Sequence, residues 1–374
     1  MRDVCLALVN GLFELSKRWC RSFTRLAHLR NDPVIRALHC QCEFGQTPRL
    51  RVRKSNRRGT RPHRKTGANR SVGENLNMSL TSFGRITTPV LEIAYEFAGD
   101  PGGTPVILLH GFPYDVRAFD EVAPILADQD AFVLAPYLRG FGPTRFLDDT
   151  TIRSGQQGAL GQDLIDFMDA LNIEKAVVGG YDWGGRAACI AAALEPGRVA
   201  GLVSVGGYNM QNIASAGEPA DPEWERTYWY QYYFQSERGR RGLDRNRDEL
   251  CELLWRTWSP TWGGASQAFL ASAPSLHNPD FVDVVIHSYR HRYGLVEGDP
   301  QYQGLEDLIA QEPQITVPTV VLESGDDGVG GPSAEEDREY FTGHYDQSLL
   351  PGIGHNVPQE NPKAFAEAVL SLFA

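Results

Sequence analysis

The stretch Val177-Val178-Gly179-Gly180-Tyr181-Asp182-Trp183-Gly184-Gly185-Arg186 decides the fold of this chain. An apolar run ends just before Asp182, and an Ala-rich segment of helical character follows it. Gly180 and Gly184 lie two residues before and two residues after Asp182, where a sharp strand-to-helix turn leaves no room for a side chain. The pattern indicates a nucleophile elbow that carries aspartate where serine is usual.

Strand and helix signals alternate on both sides of this turn. Short apolar or alternating segments predict strands at residues 91–97, 106–109, 132–134, 202–206, 319–322 and 347–350. Helical patterns lie at residues 118–127, 154–171, 333–341 and 362–373. The alternation predicts a mostly parallel, doubly wound α/β sheet with right-handed connections.

Composition divides the chain into four parts. Residues 1–77 carry 17 Lys and Arg against 5 Asp and Glu, a charge of +12, whereas the remaining residues sum to -23. We expect this basic extension to be disordered and to precede the natural start at Met78; a transit peptide or a basic arm for nucleic acid or acidic lipid are the alternatives. Residues 212–313 hold seven of the 14 Tyr and five of the seven Trp and predict an inserted helical lid. The α/β core is then expected in residues 78–211 and 314–374.

Composition also indicates a cellular compartment and excludes some classes of binding partner. With 42% hydrophobic residues in 374, the chain can bury a substantial core. The acidic part contains two cysteines, Cys189 and Cys251, which favours a reducing, cytoplasmic compartment. No apolar run is long enough to span a bilayer, and the basic stretch 49–70 has no interleaved aromatic residues, so we expect neither membrane nor nucleic acid as a partner. The oligomeric state stays open, with a homodimer as one alternative.

Three ionisable residues follow the chain order of an α/β-hydrolase triad. Asp182 occupies the elbow, an acid comes from Asp326 or Asp327 after a predicted strand, and His355 lies in the last loop. We assign Asp327 to orient His355, with Asp326 as the alternative. All three loops leave the carboxyl ends of strands, where open parallel sheets place their sites. The sequence therefore predicts the α/β-hydrolase fold with an inserted helical lid.

The His110-Gly111-Phe112-Pro113 turn supplies candidates for the rest of the site. We expect the N–H groups of Phe112 and Trp183 to form an oxyanion hole, and Trp183 also to contact the substrate. His110 and Pro113 are candidate substrate contacts, although His110 has the alternative role of bracing the turn.

An aspartate nucleophile narrows the chemistry. A serine must lose a proton before it attacks a carbonyl, whereas Asp182 is already ionised at neutral pH and weakly basic, which suits displacement at saturated carbon. The product is an alkyl ester of Asp182, which water activated by His355 can hydrolyse. A departing halide needs only hydrogen-bond donors, whereas an epoxide oxygen also needs an acid such as a tyrosine hydroxyl.

Several segments of residues 80–374 resemble the soluble epoxide hydrolases of the α/β-hydrolase superfamily. They are the His110 turn, Asp182-Trp183-Gly184-Gly185, Tyr230-Gln231-Tyr232-Tyr233-Phe234-Gln235, Ser288-Tyr289-Arg290 and Gly354-His355. The resemblance implies that two lid tyrosines, Tyr230 and Tyr289, activate the epoxide. Tyr232 and Tyr233 are neighbouring candidates for the same role or for contact with the substrate. A small apolar epoxide in an aromatic-lined pocket, water and no metal or organic cofactor complete this expectation.

The elbow also resembles related dehalogenases, which gives the alternative function. Fluoroacetate dehalogenases share the arginine that matches Arg186 but carry a second arginine where Trp183 stands. Trp183 in turn matches haloalkane dehalogenases, whose halide is held by indole N–H groups. Hydrolytic dehalogenation through Asp182 is therefore the alternative enzyme function, and a receptor or inactive binding protein on this fold is a third reading.

Overall fold

The computed structural model describes residue 80, residues 82–330, residue 333 and residues 335–373. The predicted basic extension of residues 1–77 and the start at Met78 lie outside these residues. The strands are β1 (Ser82–Thr87), β2 (Leu91–Ala98), β3 (Thr104–Leu109), β4 (Ala131–Pro136), β5 (Arg145–Phe146), β6 (Ala176–Gly180), β7 (Val199–Val205), β8 (Thr319–Ser324) and β9 (Tyr345–Leu350). The helices are α1 (Val122–Ala127), α2 (Gln157–Ala170), α3 (Asp182–Leu194), α4 (Pro222–Thr227), α5 (Trp229–Gln235), α6 (Glu237–Arg245), α7 (Arg247–Trp258), α8 (Ala265–Leu276), α9 (Phe281–His291), α10 (Gln303–Ile309), α11 (Val357–Glu360) and α12 (Pro362–Leu370).

The strands of the described part of the chain form one sheet in the order β1-β2-β4-β3-β6-β7-β8-β9, with β5 paired to β2. From β4 to β9 all pairs are parallel, whereas β1, β2 and β5 form an antiparallel edge. Strand β6 is buried along its whole length, and so is the apolar run of β3, as expected where helices cover both faces of a parallel sheet. The predicted α/β class and parallel sheet are confirmed.

Two strands were not predicted from the sequence. In β1, half-buried and exposed residues alternate, because this strand lies at the edge of the sheet and one of its faces meets solvent. Strand β5 has two residues, too few for any periodic signal. Neither strand contains a buried apolar run, and such runs therefore could not predict the antiparallel edge of the sheet.

Two predicted helices are shorter than expected. The pattern at residues 118–127 splits into a 3₁₀ turn at Val116–Phe119 and helix α1, because Pro124 has no N–H with which to continue a helix through residue 120. The pattern at residues 333–341 reduces to a 3₁₀ turn at Glu336–Tyr340. Like charges four residues apart, at Glu335 and Glu339, disfavour an α-helix there.

Helices α4 to α10 are inserted between β7 and β8 and lie within the segment predicted as a lid. Aromatic side chains of this insertion pack onto the turn after β3: the ring of Phe112 lies 5.5 Å from that of Tyr289 and 6.1 Å from that of Phe234. Among the described helices, none combines the length and the apolar character that crossing a bilayer requires. The insertion thus covers the edge of the sheet where β3, β6 and β8 end.

Candidate active site

The turn between β6 and α3 is as tight as the sequence predicted. A Cβ atom added at Gly180 would lie 2.5 Å from the carbonyl oxygen of Gly184, and one added at Gly184 would lie 2.1 Å from that of Leu109. Asp182 itself has a φ of 50°, a conformation that costs a non-glycine residue on the order of 1–3 kcal/mol. The backbone is therefore held in a strained turn that presents the Asp182 side chain at the end of the sheet.

Asp182 is surrounded by groups that stabilise its negative charge. The backbone N–H of Phe112 donates a hydrogen bond to Oδ1 at 2.7 Å, and Nε2 of His355 lies 3.8 Å from Oδ2. Burial opposes ionisation, but His355 and the Phe112 N–H together hold the pKa of Asp182 below its ordinary value. The buried Trp183 is in the first turn of α3, where backbone N–H groups have no intrahelical acceptor.

His355 lies between two carboxylates. Its Nδ1 is 2.8 Å from Oδ2 of Asp327, whereas Asp326 accepts a hydrogen bond from the Gly352 N–H and points elsewhere. Burial alone would lower the pKa of His355, but the charges of Asp327 and Asp182 raise it to about 10. In the resting site at neutral pH the imidazole is therefore protonated, with Asp327 and not Asp326 as its close partner.

The two tyrosines singled out in the sequence meet above this site. Tyr230 on α5 and Tyr289 on α9 are both buried, with ring centroids 5.4 Å apart and ring planes at 84°. The amide of Gln231 donates to the Tyr230 hydroxyl at 3.1 Å, and the Tyr289 hydroxyl has no hydrogen-bond partner among the described residues. Burial raises the pKa of both phenols, so both remain O–H donors at neutral pH.

The chain matches the alpha/beta hydrolase fold family over residues 104–357. It is 42% identical to a solved structure from Klebsiella pneumoniae named a "putative epoxide hydrolase", with 80% of this chain and 99% of that chain covered and a TM-score of 0.78. The chain belongs to the α/β-hydrolase superfamily and, within it, to the epoxide hydrolase family. Among other relatives, it is 27% identical to epoxide hydrolase A of Mycobacterium tuberculosis over 73% of this chain and 91% of that protein. A structure of epoxide hydrolase A from Mycobacterium thermoresistibile, 23% identical with a TM-score of 0.61, shares the fold over 78% of this chain and 98% of that chain.

His110 and Pro113 were predicted to contact the substrate; both are buried in the turn after β3 and are not among the residues that line the cleft described below. The His110 ring is fully buried, its Nδ1 lies 3.0 Å from the Gly111 carbonyl, and its Nε2 accepts the Leu138 N–H at 3.1 Å. Burial lowers the pKa of His110 to about 4, so the ring is neutral and braces the turn. Pro113 is also buried, and its carbonyl oxygen accepts the indole N–H of Trp255 at 2.9 Å.

An open cleft of about 930 Å³ adjoins Asp182 and His355. The other residues predicted to contact the substrate differ in whether they line this cleft. Tyr232 is on its wall, 39% exposed, with its hydroxyl bonded to Glu225. Tyr233 is not on that wall: its hydroxyl packs against Gly242 of α6, because one residue along a helix turns the side chain by about 100°. Trp183 is buried beneath the cleft, stacked on Phe112.

Two arginines in the cleft wall complete the site. The sequence had noted Arg186 for its resemblance to one dehalogenase group, but it gave no reason to consider Arg292. Arg292 caps the C-terminus of α9, three residues after Tyr289, and its backbone keeps a helical conformation. The two side chains therefore lie on the same face, and the guanidinium is 4.6 Å from the Tyr289 ring centroid. The spacing of three residues between Tyr289 and Arg292 was the signal in the sequence that could have pointed to Arg292. The wall is therefore not the apolar, aromatic surface expected from the sequence.

Proposed function

We propose that this protein hydrolyses an epoxide to a vicinal diol through a covalent ester of Asp182. The observation that carries the proposal is the pair of buried phenol O–H groups, Tyr230 and Tyr289: alongside burial, the charge of Asp182 helps to raise the pKa of both, and Tyr230 lines the cleft beside Asp182. Hydrolase family membership and relatives named epoxide hydrolases support it. A carboxylate alone would serve several leaving groups, whereas paired acids suit one that departs as an alkoxide.

In the first step Oδ2 of Asp182 forms a bond to an epoxide carbon while the ring C–O bond breaks. The epoxide oxygen takes a proton from one of the two tyrosines, and Oδ1 keeps its hydrogen bond with the Phe112 N–H. The new ester carries no charge, so one of the two carboxylates that raise the pKa of His355 is lost. His355 then gives up its proton, which replaces the one lost by the tyrosine, and becomes a base.

In the second step neutral His355 takes a proton from water, and the resulting hydroxide adds to the ester carbonyl carbon. The N–H groups of Phe112 and Trp183 stabilise the negative oxygen of this intermediate. Collapse breaks the ester bond and leaves Asp182 as a carboxylic acid, whose proton, brought in with the hydroxide, passes to the diol oxygen. The Asp182 carboxylate and protonated His355 are thereby restored. Asp327 holds the ring through Nδ1 and stabilises its positive charge.

A single turnover in water labelled with heavy oxygen tests this route. With enzyme in excess over a neutral aryl epoxide, the label should enter the Asp182 carboxylate and leave the first diol unlabelled, because the hydroxide attacks the ester carbonyl. Label in the first diol would mean direct attack of water on the epoxide and would overturn the ester mechanism.

Hydrolytic dehalogenation is the second candidate, favoured by one observation. The indole N–H of Trp183 is buried and has no acceptor among the described residues, and halide ions are held by such donors. Assays for diol from an epoxide and for halide from a chloroalkane or fluoroacetate, on the same sample, separate the two functions. Halide release without diol would replace the leading proposal.

A further inference from the structure

Arg186 is half-buried and Arg292 is buried, and neither forms an ion pair with a carboxylate in the described part of the chain. Both lie on the wall of the cleft next to Asp182, and the Nε atom of Arg186 is buried without an acceptor. Elsewhere in the core the chain pairs such a charge: Arg139 is fully buried and lies 2.6 Å from Asp163. An unpaired buried guanidinium is costly, so two together require an explanation.

The two arginines repel each other. Burial and the charge of Arg292 lower the pKa of Arg186 to about 10, against the opposing attraction of Asp182. The inner site contains three cationic side chains, His355, Arg186 and Arg292, and two carboxylates, Asp182 and Asp327. The remaining carboxylates of the cleft are exposed or half-buried and form no ion pair with either arginine; they are Glu218, Glu225, Glu312 and Glu323. When His355 is protonated, the form that Asp327 and Asp182 favour, the inner site is one negative charge short of balance.

We propose that the substrate carries a carboxylate that binds between Arg186 and Arg292. A planar guanidinium presents N–H donors in a fork that matches a carboxylate, and two of them would give this group an enclosed site. Binding of the anion requires only the two arginines, whereas its identification as part of an epoxy acid rests on the proposed function.

The position of Arg186 limits the size of the substrate. It follows Asp182 by four residues, both side chains line the cleft, and they are close enough that the charge of each shifts the pKa of the other. A carboxylate held by Arg186 therefore lies within a few bonds of the carbon that Asp182 attacks. Short 2,3-epoxy acids fit this spacing, whereas an acid with a long chain between carboxylate and oxirane does not.

The test compares 2,3-epoxypropanoate with 2,3-epoxypropanamide, which has nearly the same shape and no charge. The wild-type protein should prefer the acid by roughly tenfold or more in kcat/KM, as expected when buried donors bind a charged acceptor. Arg186→Gln and Arg292→Gln should each bring this ratio toward one, and Arg292→Lys should retain part of it. Arg290→Gln is the matched control: Arg290 lies on the same helix but pairs with Glu237 outside the cleft, so the ratio should not change.

Equal use of both substrates by the wild-type protein would overturn the proposal. So would variants that lose activity on acid and amide alike, because the arginines would then act only on the charge of Asp182. Binding of unreactive propanoate and propanamide to Asp182→Asn, measured by calorimetry, separates the two proposals. If no epoxide is opened but propanoate binds in an Arg292-dependent manner, the anion site stands and epoxide hydrolysis fails. If epoxides are opened and propanoate does not bind, the anion site fails alone.

Discussion

Nε2 of His355 lies 3.8 Å from Oδ2 of Asp182, too far for a hydrogen bond and close enough for a strong charge interaction. A water molecule beside this pair of atoms would be within reach of the imidazole and near the carbonyl carbon of an Asp182 ester. The same separation lets the charge of Asp182 control the pKa of His355. In the proposed mechanism, alkylation of Asp182 would remove one of the two carboxylate charges that raise the pKa of His355.

His355→Gln should trap the ester. Attack by Asp182 does not need the histidine, whereas hydrolysis does, so steady-state turnover should fall by about 100-fold or more and the adduct should accumulate. Intact-mass measurement after incubation with substrate should show the protein plus one substrate. Asp182→Asn is the control and should show no adduct; an unmodified His355→Gln protein under saturating substrate would contradict the assigned role.

Stability should fall at alkaline pH because of His355. The pKa of His355 is about 10 in the folded chain and about 6.5 in the unfolded chain. Protonated His355 therefore contributes its full stabilisation of the folded state below about pH 6.5, and this contribution is lost as pH rises through about 10. The free energy of unfolding from denaturant titrations should therefore decrease over this range. Asp327→Asn removes the nearer carboxylate and should flatten the decrease. An unchanged pH profile in that variant would show that another group titrates.

Replacing both Tyr230 and Tyr289 by Phe should lower the rate of epoxide opening by about 100-fold or more, because the leaving oxygen loses both of its proton donors. Each single replacement should cost less, since the remaining hydroxyl can still donate. Any halide release from a haloalkane should be affected much less. Tyr233→Phe is the matched control, because Tyr233 lies on the same helix as Tyr230 and faces away from the cleft. Full diol formation by the double variant would remove the tyrosines from the mechanism.

The sequence predicted the sheet, the elbow and the order of Asp182, Asp327 and His355 because each depends on local chemistry: buried apolar runs and loops at strand ends. It could not predict which face of a lid helix meets the cleft. Tyr230 and Tyr233 are both on α5, and packing of this helix against distant elements decides that Tyr230 lines the cleft and Tyr233 packs against Gly242. Arg292 escaped notice for the same reason. The sequence could not choose between the two roles considered for His110, because its two backbone partners are visible only in the fold.

The close approach of Gly111 to Asp182 yields a prediction that separates activity from stability. A Cβ atom at position 111 would lie 2.5 Å from the Cβ atom of Asp182, closer than real contacts, so Gly111→Ala must displace either the turn after β3 or the elbow. Either shift separates the Phe112 N–H from Oδ1, a bond of 2.7 Å in the resting site. We expect kcat to fall by at least tenfold, since misplacement of about 1 Å costs catalysis heavily. Gly197→Ala is the control, because no atom lies within 4 Å of the added Cβ. Circular dichroism and denaturant titrations of both variants measure the change in stability. A Gly111→Ala protein with normal kcat would contradict the prediction, because it would show that the turn tolerates the shift and that catalysis does not need Gly111 to hold the Phe112 N–H in place.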